Sequence, residues 1–247
     1  GISSEELGLA NTASKLRGES GTKVLVEILS ESGEIREVDL ERRSVDLRPV
    51  RTKRLRDDSH TIGYLRITQF SESVPKKVEE ALQELKEKEV EGLILDLRNN
   101  SGGLVSSGIA VADSLLSEKP VVETKNRNGI KDAIISQKET SFDGPMVTLV
   151  NKGTASASEI LAGSLQDNGR SILMGEQTYG KGLIQSLKSL GEDSGIAITV
   201  ASYLTPKGNN IQGQGMTPDK FLDLPDATEY GSAEDKWVRN AELFLES

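Results

Sequence analysis

The sequence predicts an α/β fold: a mixed, largely parallel sheet with covering helices, preceded by a small separate module. Two observations carry this. From Ile62 onward, short apolar runs alternate with helix-period stretches: "EGLILDLR" precedes "LVSSGIAVADSLLSE", and "GPMVTLVNKG" precedes "SASEILAGSLQDNG". Strand–helix alternation of this kind builds a parallel sheet with helices laid on it. Both apolar runs also break at Gly- or Asn-bearing turns just before a helix, at the sheet edge where α/β proteins gather their sites.

The elements follow in order. In residues 1–46, "SSEELGLANTASKLRG" places Leu7, Ala10, Ala13 and Leu16 near helical spacing, with Gly18 as a stop. "TKVLVEILSESGEIREVDLERR" reads as two strands around a turn at Glu31–Ser32–Gly33. One helix and two strands make a poor core, so 1–46 reads as the second half of a module. Residues 47–62 read as a polar connector. "IGYLRITQF" is a strand, and "SVPKKVEEALQELKEKEV" a helix with Pro75 at its start and Val78, Leu82 and Leu85 on one face. The core, 63–247, continues through the two strand–turn–helix units to "SILMGE", "GLIQSLKSL" and "GIAITVASYLTP", and ends in a helix, "AEDKWVRNAELFLE".

Composition narrows the function. Aromatics are only 4%, so aliphatic side chains must fill the core. The net charge of −9 supplies no cationic field for nucleic acid, and the basic run Arg48–Arg56 reads as a solvated linker. With no cysteine there is neither a disulfide nor a thiolate nucleophile. No apolar stretch reaches the roughly 20 residues of a membrane-spanning helix, and neither a metal-site pattern nor a phosphate-loop spacing occurs. The chain opens "GISSEELG", without Met or a visible leader, and reads as a mature or trimmed product.

The turn "NKGTASASEI" offers Ser156 and Ser158 at a helix N-terminus, where backbone N–H groups favour negative charge. Two readings stand side by side. Ser156 with Glu159 fits a capping box; alternatively one serine is a nucleophile. A nucleophile needs a base, and the single imidazole, His60, sits in a polar connector. The remaining candidate is a lysine whose amine is kept neutral by burial; Lys181 in "TYGKGLIQ" is flanked by glycines and followed by an apolar pair. "NNSGG", 99–103, is either a plain glycine turn or part of an oxyanion hole.

Taken together, "LILDLRNNSGG", "NKGTASASEILAGSLQDN", "GEQTYGKGLIQ" and "YLTPKGNNIQGQGMTPD" resemble the carboxyl-terminal processing, or tail-specific, serine proteases. The resemblance implies a crotonase/Clp-protease-like core and a Ser–Lys dyad of Ser156 and Lys181, with Gln185 orienting the lysine. It implies oxyanion donors at Gly102 and Ala157, and supporting acids at Glu159 and Asp167. It further implies that 1–46 is the latter part of a PDZ-like module. No cofactor or metal is implied. The implied partner is a protein or peptide with a free C-terminus, in the thylakoid lumen or periplasm, with transient association with the thylakoid membrane and, in photosynthetic members, a role in photosystem II maturation. The rival expectations are an inactive or autoinhibited binding relative with an incomplete PDZ module, and a crotonase-type acyl-CoA enzyme.

Overall fold

The chain divides into two units, Gly1–Arg48 and Pro49–Ser247. The computed structural model describes residues 2–30, 33–43, 48–56, 61–129, 131–191, 194–223 and 229–246. In the first unit, helix α1 (Ser4–Leu16) starts at Ser3, whose hydroxyl accepts the Glu5 N–H at 3.1 Å. An antiparallel hairpin of β1 (Lys23–Leu29) and β2 (Ile35–Glu41) follows, as the alternating pattern predicts. The expected turn residues Glu31 and Ser32 lie outside the described residues. Arg42 ties the helix end to the hairpin by donating to the Leu16 carbonyl at 2.8 Å and the Lys23 carbonyl at 3.1 Å. None of the side chains described in this unit is buried, in keeping with the poor core expected of so short a segment.

The second unit runs β3 (Val50–Arg56), β4 (Thr61–Ile67), α2 (Val74–Glu87), β5 (Gly92–Asp96), α3 (Val105–Leu115), β6 (Pro120–Asn126), β7 (Lys131–Ile135), β8 (Met146–Val150), α4 (Ala157–Asp167), β9 (Ile172–Gly175), β10 (Leu183–Gly191), β11 (Ser194–Leu204), β12 (Lys220–Phe221) and α5 (Lys236–Leu245). A six-stranded sheet has the order β12-β9-β8-β5-β4-β3. All its pairings are parallel except β3 with β4. A second, four-stranded sheet, β10-β11-β6-β7, is antiparallel throughout. The fold is thus the mixed α/β arrangement the alternation predicts, with one antiparallel sheet that the alternation alone does not reveal.

Residues 50–56, read as connector, are strand β3, paired along its length with β4. "VRTKRLR" carries its charge because β3 is the edge of the sheet, where Lys and Arg discourage pairing with another chain. His60 and its neighbours 57–59 lie outside the described residues.

The central parallel strands β5 and β8 are buried at every residue, which is why they read as unbroken apolar runs. Alternate residues serve two cores. Leu65, Leu93, Leu95 and Val150 pack with Val78, Leu82 and Leu85 of α2, Val111 of α3 and Leu161 of α4. Tyr64, Ile94, Val147 and Leu149 pack on the other face with Trp237, Val238 and Ala241 of α5.

A buried ionic cluster fixes the exit of β5. Asp96 and Arg98 are fully buried, as is Asp235, the N-cap of α5. Arg98 bonds to the Asp96 and Asp235 carboxylates, each at 2.6 Å, and Arg66 pairs with Asp96 at 3.0 Å. Arg66 and Arg98 also lie over the ring of Tyr230, 3.9 and 4.6 Å from its centroid. Burial alone would raise the Asp235 carboxyl, but the Arg98 hydrogen bonds, the Gly231 N–H and the Arg98 charge carry it below its ordinary value. A depressed carboxyl contributes stability above its ordinary pKa of 3.8, and that contribution is lost as the pH falls toward the folded value. Asp235→Asn should therefore cost about 3 kcal/mol near neutral pH, since one partner of a buried pair is removed. In thermal melts across pH, the gap between variant and parent should narrow below pH 3.8.

Candidate active site

β5 and β8 are parallel neighbours, so the loops leaving their C-terminal ends lie side by side. The first is Leu97–Leu104 and the second Asn151–Ser156. They are stitched together by Asn100. Its carbonyl accepts the Ala155 N–H at 3.0 Å and the Ser158 hydroxyl at 2.9 Å, and its side-chain amide donates to the Ile67 carbonyl at 2.9 Å. Asn99 donates its N–H to the Asn151 side chain at 2.8 Å. Ser158 is fully buried and spends its hydroxyl on this seam, which separates the two serines.

Ser156 stands between β8 and α4 with φ 58° and ψ −118°. An ordinary N-cap has extended, negative-φ backbone. A serine held at positive φ in a tight strand-to-helix turn is strained, and such turns present a nucleophile above a sheet. The space around it is made by glycine: a Cβ on Gly102 would sit 2.8 Å from Ser156 Cβ and 3.1 Å from the Ala157 nitrogen. Gly102 itself has φ 100°, which only glycine adopts readily. Among the described residues no acceptor takes the Ala157 N–H. The Gly102 N–H donates to the Asn100 side-chain oxygen at 3.0 Å.

The capping-box reading holds for its acidic half, and that half does more than cap. Glu159 is fully buried, and its Oε2 accepts the N–H groups of Ser156 at 2.9 Å and Lys181 at 2.8 Å. Its Oε1 accepts the Gly180 N–H and the Thr178 hydroxyl, both at 2.6 Å. One carboxylate oxygen thus holds the backbone of the serine and of the lysine, 25 residues apart in the chain. The glycines beside Lys181 are required by the loop packed against them. A Cβ on Gly180 would meet the Gly215 nitrogen at 2.8 Å, and one on Gly182 would meet the Gln212 nitrogen at 2.8 Å.

None of Lys181, Gln185 and Asp167 is buried. The Lys181 side chain is exposed, not buried, so this chain's described residues do not supply the dehydration that reading invoked. Gln185, also exposed, follows a register shift at the start of β10. Asp167 ends α4, whose first turn holds Glu159, and α4's 11 residues put Asp167 on the order of 15 Å from the serine turn. Its carboxylate accepts the Lys207 N–H at 2.9 Å, so it anchors the 205–209 turn and stands apart from the site. Asn100, Thr178 and the Asp96–Arg98–Asp235 cluster went unread. Only Asp96 and Arg98 left a trace, as charges inside the buried run "LILDLR". Among the described residues no group of three or more His, Asp or Glu is placed to hold a metal ion.

The model of peptidase family S41 matches residues 61–220. The chain belongs to peptidase family S41. It is 46% identical over 229 residues to a carboxyl-terminal-processing protease of Synechocystis sp., covering 91% of this chain and 53% of that protein. It is 36% identical over 227 residues to the carboxy-terminal processing protease CtpA of Bacillus subtilis, covering 92% of this chain and 48% of that one. Among solved structures it superposes on a photosystem II D1 C-terminal processing protease with a TM-score of 0.71 and 36% identity, over 87% of this chain and 59% of the other. The chain thus spans about half the length of the curated S41 relatives it matches.

Glu159→Gln leaves the size of the side chain but turns an amide toward donors that the carboxylate now satisfies. Glu159→Gln should therefore lower the melting temperature relative to the parent, measured by thermal denaturation, because each buried donor left unpaired costs about 1–3 kcal/mol.

Proposed function

We propose that this S41 chain carries the catalytic part of a serine endopeptidase that cleaves protein substrates near their C-terminus through a Ser156–Lys181 dyad. The observation that carries the reading is the strained, positive-φ Ser156 at the sheet edge, joined to the Lys181 backbone through one oxygen of Glu159.

In this reading the neutral Lys181 amine takes the Ser156 hydroxyl proton as Oγ attacks the substrate carbonyl. The Ala157 N–H stabilises the oxyanion, and Gly102 adds a second donor when its N–H exchanges the Asn100 oxygen for the substrate's. Protonated Lys181 gives its proton to the leaving amine. Water then attacks the acyl ester, losing a proton to Lys181, and Ser156 recovers its hydroxyl proton. Substrate laid over the exposed lysine would dehydrate the amine and favour its neutral form. Gln185 would orient that amine without adding charge.

Two features favour an autoinhibited resting state as a second reading: the exposed Lys181 and the Gly102 N–H committed to Asn100. Substrate binding, or a further part of the protein, would then complete the site. We read residues 1–46 as the latter part of a PDZ-like module that receives the substrate's C-terminal carboxylate. By likeness to the cyanobacterial relative we assign the protein to an extracytoplasmic or lumenal compartment, with protein tails as substrates.

Cleavage of a peptide with a free C-terminus, compared with its amidated twin, tests the reading. Ser156→Ala and Lys181→Ala should each lower turnover by at least about 1,000-fold with the melting temperature preserved, as expected when a member of a nucleophile–base pair is removed. Near-normal turnover in Lys181→Ala would contradict the dyad.

A further inference from the structure

The motif "IQGQGM", 211–216, has no part in the mechanism above, yet it reaches the Glu159 carboxylate through one side chain. Thr178 is buried, and its hydroxyl spends its single proton on Glu159 Oε1, at 2.6 Å. The hydroxyl oxygen accepts the Met216 N–H, also at 2.6 Å. The Thr178 N–H in turn donates to the Met216 carbonyl at 3.1 Å. The two residues are therefore locked in both directions. Gly215, at φ 70°, lies so close that any Cβ would overlap the Thr178 carbonyl. The remaining three donors to Glu159 are backbone N–H groups of Ser156, Gly180 and Lys181. Thr178 is thus the single side chain among these contacts, and its hydroxyl bonds both the carboxylate and the 211–216 loop; the Gly180 backbone meets the same loop, its carbonyl accepting the Gly213 N–H at 2.9 Å.

We infer that Thr178 is a positioning residue: its hydroxyl fixes the rotation of the Glu159 carboxylate, and the 211–216 loop sets the spacing of Ser156 and Lys181 through it. The inference rests on the Ser–Lys reading above. A carboxylate has two oxygens to aim, and here each has a different role. Oε2 spans the dyad, and Oε1 holds the Thr178–Gly180 turn. If Oε1 loses its hydroxyl partner, only the Gly180 N–H still holds it; the carboxylate can then turn about that one bond, and Oε2 no longer holds both backbones at once. The side chain's shape is not the issue, since valine would fill the same volume; the donor is.

Thr178→Val and Thr178→Ser separate these roles, assayed on a free-C-terminal peptide with each preparation titrated for reactive Ser156. Thr178→Val should lower kcat per titrated site by 30-fold or more with KM within twofold of the parent, and Thr178→Ser should recover most of the loss. An unchanged kcat in Thr178→Val, an effect confined to KM, or an equal loss in Thr178→Ser would each overturn the inference. Should Thr178→Val not yield folded protein, Thr178→Cys, with a thiol that is only a weak donor, takes its place under the same criteria. A parent chain that neither cleaves the peptide nor labels at Ser156 would instead defeat the Ser–Lys reading itself.

Discussion

One buried carboxylate organises the candidate site. Glu159 lies in the first turn of α4, with no exposed surface, and accepts four hydrogen bonds. Burying a charge is costly unless every lone pair is used. Here the four donors come from two chain segments, the Ser156 turn and the Thr178–Lys181 loop, and Thr178 links them to a third, the 211–216 loop. The cost of leaving any of those donors unpaired makes the arrangement close to all-or-none. Position of the serine and position of the lysine are then one property and not two.

The rest of the second unit serves that arrangement at a distance. The parallel pairing of β5 and β8 brings two loops to one edge, and Asn100 seams them. Beneath, the Asp96–Arg98–Asp235 cluster pins the start of the first loop to the N-cap of α5. An ionic cluster with no exposure is a poor source of stability compared with apolar packing, but it tolerates few alternative geometries. That is a useful property under a loop in which Gly102 lies so close to Ser156 that an added Cβ would stand 2.8 Å from the serine Cβ.

Much of this was legible in the sequence, and the boundary of what was legible is physical. Strands buried on both faces, such as Leu93–Leu95, announce themselves as apolar runs, and helices α2 to α5 announce themselves by period and caps. Ser156, Lys181 and the glycine turns could be selected because motif order added to spacing. Strand β3 was hidden because an edge strand is charged by need and so looks like a connector. The sheet β10-β11-β6-β7 was hidden because β6 and β7, "PVVETKN" and "KDAII", are short and partly charged, and because β6 pairs with β11, a strand far along the chain. Lys181's exposure and Asp167's distance from the site were beyond reach, since neither follows from residue type. The links made by Asn100 and Thr178 were equally invisible: a polar residue in a loop carries no mark of which backbone group it will meet.

The chain belongs to peptidase family S41, and within it the backbones of Ser156 and Lys181 are held by one shared oxygen of Glu159. Backbone amide exchange measures it directly. Lys181 has an exposed side chain in a glycine-flanked loop, so its N–H would exchange rapidly unless a buried acceptor holds it. The account predicts that the Ser156, Gly180 and Lys181 amides are protected to a similar degree and lose that protection together in Glu159→Gln. A Lys181 amide that exchanges at the rate of a free loop in the parent protein, while Ser156 stays protected, would contradict it.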